Sequence, residues 1–201
     1  MKTFFTIATI LVLLTGCSKD SASGYNSQLP PETQIGANTF GVTINGKVYV
    51  PRDPKGGNGV NPSSKGMTFW GAPDNVSWNE VEVKDGASAV GFQIYLHMQN
   101  FPSFNMPGKL TLSQSNFHNS VDSTPFHHIY FKIWDQNITN YAYYGSIENL
   151  GEINITRHIN GIVSGNFKGK FVRYDNPNDF ITITDGRFDI NTQTLPNAVF
   201  P

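Results

Sequence analysis

Thr39-Phe40-Gly41-Val42-Thr43-Ile44-Asn45-Gly46-Lys47-Val48-Tyr49-Val50, residues 39–50, is the stretch from which the fold of this chain is read. Phe40, Val42 and Ile44 alternate with smaller residues, the period-2 pattern of a strand with one buried face. Asn45-Gly46 suits both positive-φ positions of a type I′ turn, so the stretch predicts a β-hairpin.

Reading outward, Pro51 to Gly66 is rich in Gly, Pro, Asn and Ser and predicts a loop. Strand signals then recur at Met67–Trp70, Glu80–Lys84, Val90–Met98, Lys109–Ser113, His128–Trp134, Tyr141–Tyr144, Leu150–Ile159, Gly161–Tyr174 and Phe180–Ile190. The clearest puts Phe92, Ile94, Leu96 and Met98 on one face and Gln93, Tyr95, His97 and Gln99 on the other. Ile129, Phe131 and Ile133 alternate in the same way. No window of ten or more residues sustains a helical apolar period. Val163, Phe167 and Phe171 share a face with Gly165 and Gly169, which predicts a central strand with either large–small interdigitation or a bend that crosses a barrel or sandwich corner.

Composition agrees. Aromatics make up 13 % of the 201 residues, Gly and Pro number 19 and 12, and Asn occurs 21 times. These are strand and turn formers that weaken helix interiors. The expected fold is all-β: a single antiparallel β-sandwich, or alternatively a flattened β-barrel, of about nine or ten strands. The formal net charge of −1 at pH 7 excludes the basic surface that nucleic acid requires.

The amino-terminal end reads differently. Lys2 and the apolar run Phe4–Leu14 lead to Leu14-Thr15-Gly16-Cys17. The run is shorter than the ~20 residues of a spanning helix, so residues 1–16 read as a secretory signal peptide. The ending resembles a lipobox, which implies a diacylglyceryl thioether and an acylated amino terminus on Cys17, the only cysteine. That leaves no thiol for a disulfide, a metal or catalysis. Residues 17–34 (polar, with Pro30-Pro31) read as a flexible tether, and 35–201 as the domain. Ser18, rather than Asp, after the cysteine points to the outer membrane, with the membrane face open.

Gly36-Ala37-Asn38-Thr39-Phe40-Gly41 with Ile44-Asn45-Gly46-Lys47-Val48 resembles the opening motif of Bacteroidota lipoproteins that carry a domain of unknown function. Ser164-Gly165-Asn166-Phe167 and Ile183-Thr184-Asp185-Gly186-Arg187-Phe188-Asp189 are similar to that group's ending. The group often has Cys after the Phe-Gly pair, where this chain has Val42. The resemblance implies lipoprotein status and a β-rich fold, and no catalytic residue.

His127 and His128 are neighbours on a strand and point to opposite faces, and His97, His118 and His158 lack ligand spacing, so solvated histidines are expected and no metal. Asp175-Asn176-Pro177-Asn178-Asp179 offers oxygens for Ca²⁺, but a turn between two strands explains it. Glu80 and Glu82 share a strand face, which suggests a solvated edge more than a hydrolytic pair. Lys55-Gly56-Gly57-Asn58-Gly59 lacks the Lys-Ser/Thr of a phosphate loop. Trp70, Trp78, Trp134 and Tyr143 are the better lead, as aromatic platforms for a sugar ring or a protein partner. The expected function is a lipid-anchored, non-catalytic envelope module without cofactor, either structural or binding a glycan or protein through aromatic-lined loops. The alternative is an envelope enzyme acting on polysaccharide.

Overall fold

The structure is a computed structural model that describes residues 25–55, 65–71, 78–99, 107–118 and 126–201. Cys17, the signal segment and most of the 51–66 loop lie outside the described residues.

Ten strands form one antiparallel sheet: β1 (Thr39–Ile44), β2 (Lys47–Tyr49), β3 (Met67–Gly71), β4 (Trp78–Lys84), β5 (Gln93–Gln99), β6 (Gly108–Thr111), β7 (His128–Asp135), β8 (Asn140–Ile159), β9 (Ile162–Arg173) and β10 (Asn176–Asn191). The order is β2-β1-β10-β9-β8-β7-β5-β4-β3, with β6 on β8. No α-helix occurs among the described residues; Leu195–Asn197 makes one 3₁₀ turn.

The hairpin forms as its residues demand. Asn45 and Gly46 take φ of 47° and 82°, and Asn45 also pairs with the backbone of Thr182 on β10. Tyr141–Tyr144 and Leu150–Ile159, expected as two strands, are one 20-residue strand β8. A register break between Ser146 and Gly151, with Asn149 at φ 60°, bends it instead of ending it. Its first half pairs with β7 and its second with β6.

Inward side chains from β1 and from β3–β10 meet in one hydrophobic cluster, so the sheet curls over itself. The two layers are thus two wings of a single sheet. It does not close into a barrel: the ends meet through one parallel bridge, Arg52 to Asp85. Phe131, fully buried, meets Phe171 edge-on at 5.3 Å and Tyr144 at 5.7 Å. Each such side chain contributes about 1.5–3 kcal/mol of burial.

The interdigitation expected around Gly165 is reciprocal. Gly165 stands opposite Phe188, and Gly186 opposite Phe167. A Cβ on Gly165 would lie 2.7 Å from the Phe188 ring, and one on Gly186 2.5 Å from that of Phe167. Each glycine makes room for the ring across the strand pair.

The chain is engaged with the sheet well before residue 35. Tyr25 stacks on the Arg52 guanidinium at 4.6 Å, and the Pro30 carbonyl accepts from Arg187 at 3.2 Å. Pro30 and Leu29 cover Gly41. Asp189, 1 % exposed, accepts from Thr33 Oγ1, from the N–H groups of Ile35, Gly36 and Ala37, and from Ser164 Oγ. Residues 25–34 therefore form a strap docked on the domain, where a mobile tether is expected from composition. The apolar contacts and a buried carboxylate offset the ordering cost.

Candidate functional site

Strand pairing brings one set of side chains onto the outer face of β3-β4-β5-β7-β8. Trp70, Glu80, His97 and His128 lie side by side in one row. Thr68, Glu82, Tyr95 and Tyr130 make the next row; Lys84, Gln93, Lys132 and Tyr143 the third. Trp78 has the parity of Glu80 on β4, and Trp134 that of His128 on β7, paired with Tyr141. All four aromatic residues singled out in the sequence thus share one face, spread over about 26 Å of strand.

Their surroundings differ. Trp70 is 40 % exposed and donates Nε1–H to Glu82 at 3.2 Å, and Tyr143 is 45 % exposed. Trp78 is half-buried and stacks on His97 at 6.4 Å. Trp134 is half-buried, edge-on to Tyr141 at 5.3 Å. At the centre Tyr95 and Tyr130 stack at 4.6 Å. Glu82 accepts from Gln93 Nε2 at 2.7 Å, and Gln93 also reaches the Tyr95 hydroxyl. Burial, then the negative charges of Glu82 and Glu80, push the Tyr95 phenol far up, so it stays protonated and polar.

The first row is the surprise. His97 and His128 are fully buried and Glu80 is 1 % exposed, against the expectation of solvated histidines and a solvated carboxylate edge. His158 is also buried, at 4 %. Two features contribute at the β5–β7 side of the row. β4 and β5 are internal strands, flanked on both sides. Beyond them the segment that follows β6 folds over the face: Ser115 is buried, and Phe117 sits on Gly145 and 6.2 Å from Tyr130. His97 Nδ1 lies 3.4 Å from Glu80 Oε2, the His97 and His128 rings are 5.2 Å apart, and Ser115 Oγ is 2.9 Å from His128 Nδ1. Burial, with His97 and His118 nearby, lowers the His128 pKa to about 3, so its ring is neutral.

This row does not make a nucleophilic centre. Ser115 Oγ also accepts the Phe117 N–H, and His128 meets it through Nδ1 while its Nε2 has no partner among the described residues. Glu82, two residues from Glu80, spends its carboxylate on Trp70 and Gln93, with Lys84 at 3.8 Å. The two carboxylates brace the face; they do not converge on an open cleft.

The acidic turn at 175–179 is filled by a side chain. Arg173 donates to Asp175 at 2.6 Å, Asp135 at 3.1 Å and Asp179 at 3.2 Å, and Tyr144 donates to Asp179. Among the described residues no group of three or more His, Cys, Asp or Glu could hold a metal ion, and no helix is long and apolar enough to cross a membrane.

A second feature escaped the sequence reading. Where the sheet ends approach each other, a recess of ≈ 130 Å³ opens beside Arg52, a residue that falls in an expected loop. Trp134 forms part of its wall, so it adjoins the aromatic face. No family model, curated protein or solved structure matches this chain.

Proposed function

We propose that this chain is a lipid-anchored module of a bacterial envelope that binds carbohydrate, without turnover, on its aromatic face. The observation that carries the reading is the shared face of Trp70, Trp78, Trp134 and Tyr143, interleaved with Glu82, Gln93, Lys84 and Lys132. A sugar ring offers a C–H face that stacks on aromatic rings and hydroxyls that need donors and acceptors close by. Trp70 and Tyr143 have the most ring surface left to cover. Carboxylates engaged in bracing favour binding over hydrolysis, so the reading of an envelope enzyme ranks second. The lipobox-like ending at Cys17 supports attachment to the outer membrane through lipid.

The test is a glycan array read with the wild type and with Trp70→Ala and Tyr143→Ala. Losing one stacked ring removes about 0.5–1.5 kcal/mol, or a ~2–12-fold weaker Kd. Cys17→Ser leaves glycan binding intact and moves the protein out of the membrane fraction. Glycan binding indifferent to both ring removals overturns the reading, as does capture of protein ligands alone.

A further inference from the structure

The recess between the two sheet ends is built differently from the aromatic face. Its walls include the rings of Tyr25, Tyr49 and Trp134, and its charged groups are Lys47, Arg52 and Asp85. Two cations face one carboxylate, in a chain whose formal charge is −1. Lys47 is exposed, with Nζ 5.4 Å from the Tyr49 ring centre.

Arg52 is the centre of the site. It is 5 % exposed, held between the Tyr25 ring at 4.6 Å and Asp85, whose Oδ2 lies 3.2 Å from its Nη1. Asp85 is committed elsewhere too, accepting from the N–H groups of Ala87 and Ser88 through Oδ1. The Arg52 Nε is buried and has no hydrogen-bond partner among the described residues. An unmet donor of this kind costs about 1–3 kcal/mol. A guanidinium presents a planar fork that matches a carboxylate, and only part of this one is used. The Arg52 guanidinium is held by stacking on Tyr25 and by Asp85, and its backbone is fixed by an N–H that donates to the Lys84 carbonyl at 3.1 Å, so the donor group is pre-organised.

We propose that this recess binds the carboxylate of an acidic sugar, a uronate or a related sugar acid, with Arg52 and Lys47 taking the charge and Trp134 taking the ring. The inference rests on the carbohydrate reading above and narrows it to a class. The volume suits one residue at a chain end or branch; larger ligands need about 300 Å³ or more. Both cations sit where a negatively charged ligand is steered, and the rings separate a sugar acid from a bare anion.

The test is calorimetry on the purified full chain in detergent, with a galacturonate trisaccharide, its neutral galactose counterpart and inorganic phosphate. The acidic trisaccharide binds at least ~10-fold tighter than the neutral one, an affinity ratio worth about 1.4 kcal/mol. Binding weakens several-fold between 50 and 300 mM salt, since exposed Lys47 is screened. Lys47→Ala and Trp134→Ala, both outside the core, each weaken the acidic sugar by ~3–10-fold with unchanged circular dichroism. Arg52→Lys keeps a charge but loses the fork, and weakens it further. Phosphate binding as well as the trisaccharide, without dependence on Trp134, overturns the proposal. A neutral sugar bound through Trp70 and Tyr143, with no dependence on Lys47, overturns this inference and leaves the carbohydrate reading standing. No carbohydrate binding at all overturns both.

Discussion

Replacing Asp189 by Asn removes one charge and nothing in volume, yet it should release the docked strap. The carboxylate accepts five hydrogen bonds. Oδ2 takes Thr33 Oγ1 at 2.6 Å and the N–H groups of Ile35 and Ala37 at 3.1 Å; Oδ1 takes the Gly36 N–H at 2.9 Å and Ser164 Oγ at 2.7 Å. An amide has one oxygen, so its NH₂ must face at least two of these donors. Hydrogen bonds to a charged group are worth ~1.5–3 kcal/mol each, so the loss is about 3–6 kcal/mol. For a domain of this size each kcal/mol lowers Tm by about 2–4 °C, which predicts a fall of roughly 6–24 °C at pH 7. The pH dependence carries the signature. Burial raises the Asp189 pKa, but hydrogen bonds from Thr33, Ser164, Ala37 and Gly36 outweigh it and hold the carboxyl below the usual aspartate value. A depressed folded pKa gives stability that is complete above the unfolded pKa and lost as pH falls through the folded one. The gap between wild type and Asp189→Asn should therefore shrink below about pH 4. Thermal melts at pH 7 and pH 3 measure it, with the exposed Asp185→Asn as a control that moves little. A drop under 3 °C at pH 7, or a gap that ignores pH, would refute the reasoning.

Two further substitutions test the packing and the buried row. Gly186→Ala should destabilise by about 1–3 kcal/mol, because its Cβ meets the Phe167 ring at 2.5 Å, and a urea midpoint reads the loss. His128, neutral when folded with a pKa near 3, binds its proton in the unfolded chain at about 6.5. Wild-type stability therefore falls as pH drops from 6.5 toward 3, by about 3 kcal/mol at pH 4, and His128→Gln should flatten that slope in denaturant titrations.

The architecture was legible where local chemistry and period agreed. Asn45-Gly46 set a turn that Gly or Asn alone can adopt, and the alternation around Ile94 and Phe131 named the core face correctly. The Phe-Gly exchange across β9 and β10 was visible as a pattern, though its partners were not. β8 was divided in two because strand signals occur only at Tyr141–Tyr144 and Leu150–Ile159; a bulge between Ser146 and Gly151 carries the strand through the gap. The parity of Trp70, Trp78, Trp134 and Tyr143 was in each strand, but only the pairing register places them on one face. The burial of Glu80, His97 and His128 was hidden for a different reason. Alternation assigns one face to the core and the other to water, and it cannot announce that a later segment, Ser115 to Phe117, covers the second face beside His128 and Tyr130, or that Trp78 stacks on His97. Arg52 was hidden by a loop composition, since its role arises from two sheet ends separated by the whole fold.

The docking of β1 between β2 and β10 has a kinetic consequence. The early motif around Gly36 is gripped by Asp189, 153 residues later, and β1 has no second neighbour until β10 is in place. A two-stranded hairpin alone is marginal in water. The opening hairpin therefore waits, unsecured, for almost the entire remainder of the chain, and the cost of that long closure is met before any of its contacts form. Strand β10 acts as the seam that locks one wing, so a chain interrupted before Asn176 carries an unpaired β1 edge open to association with other chains.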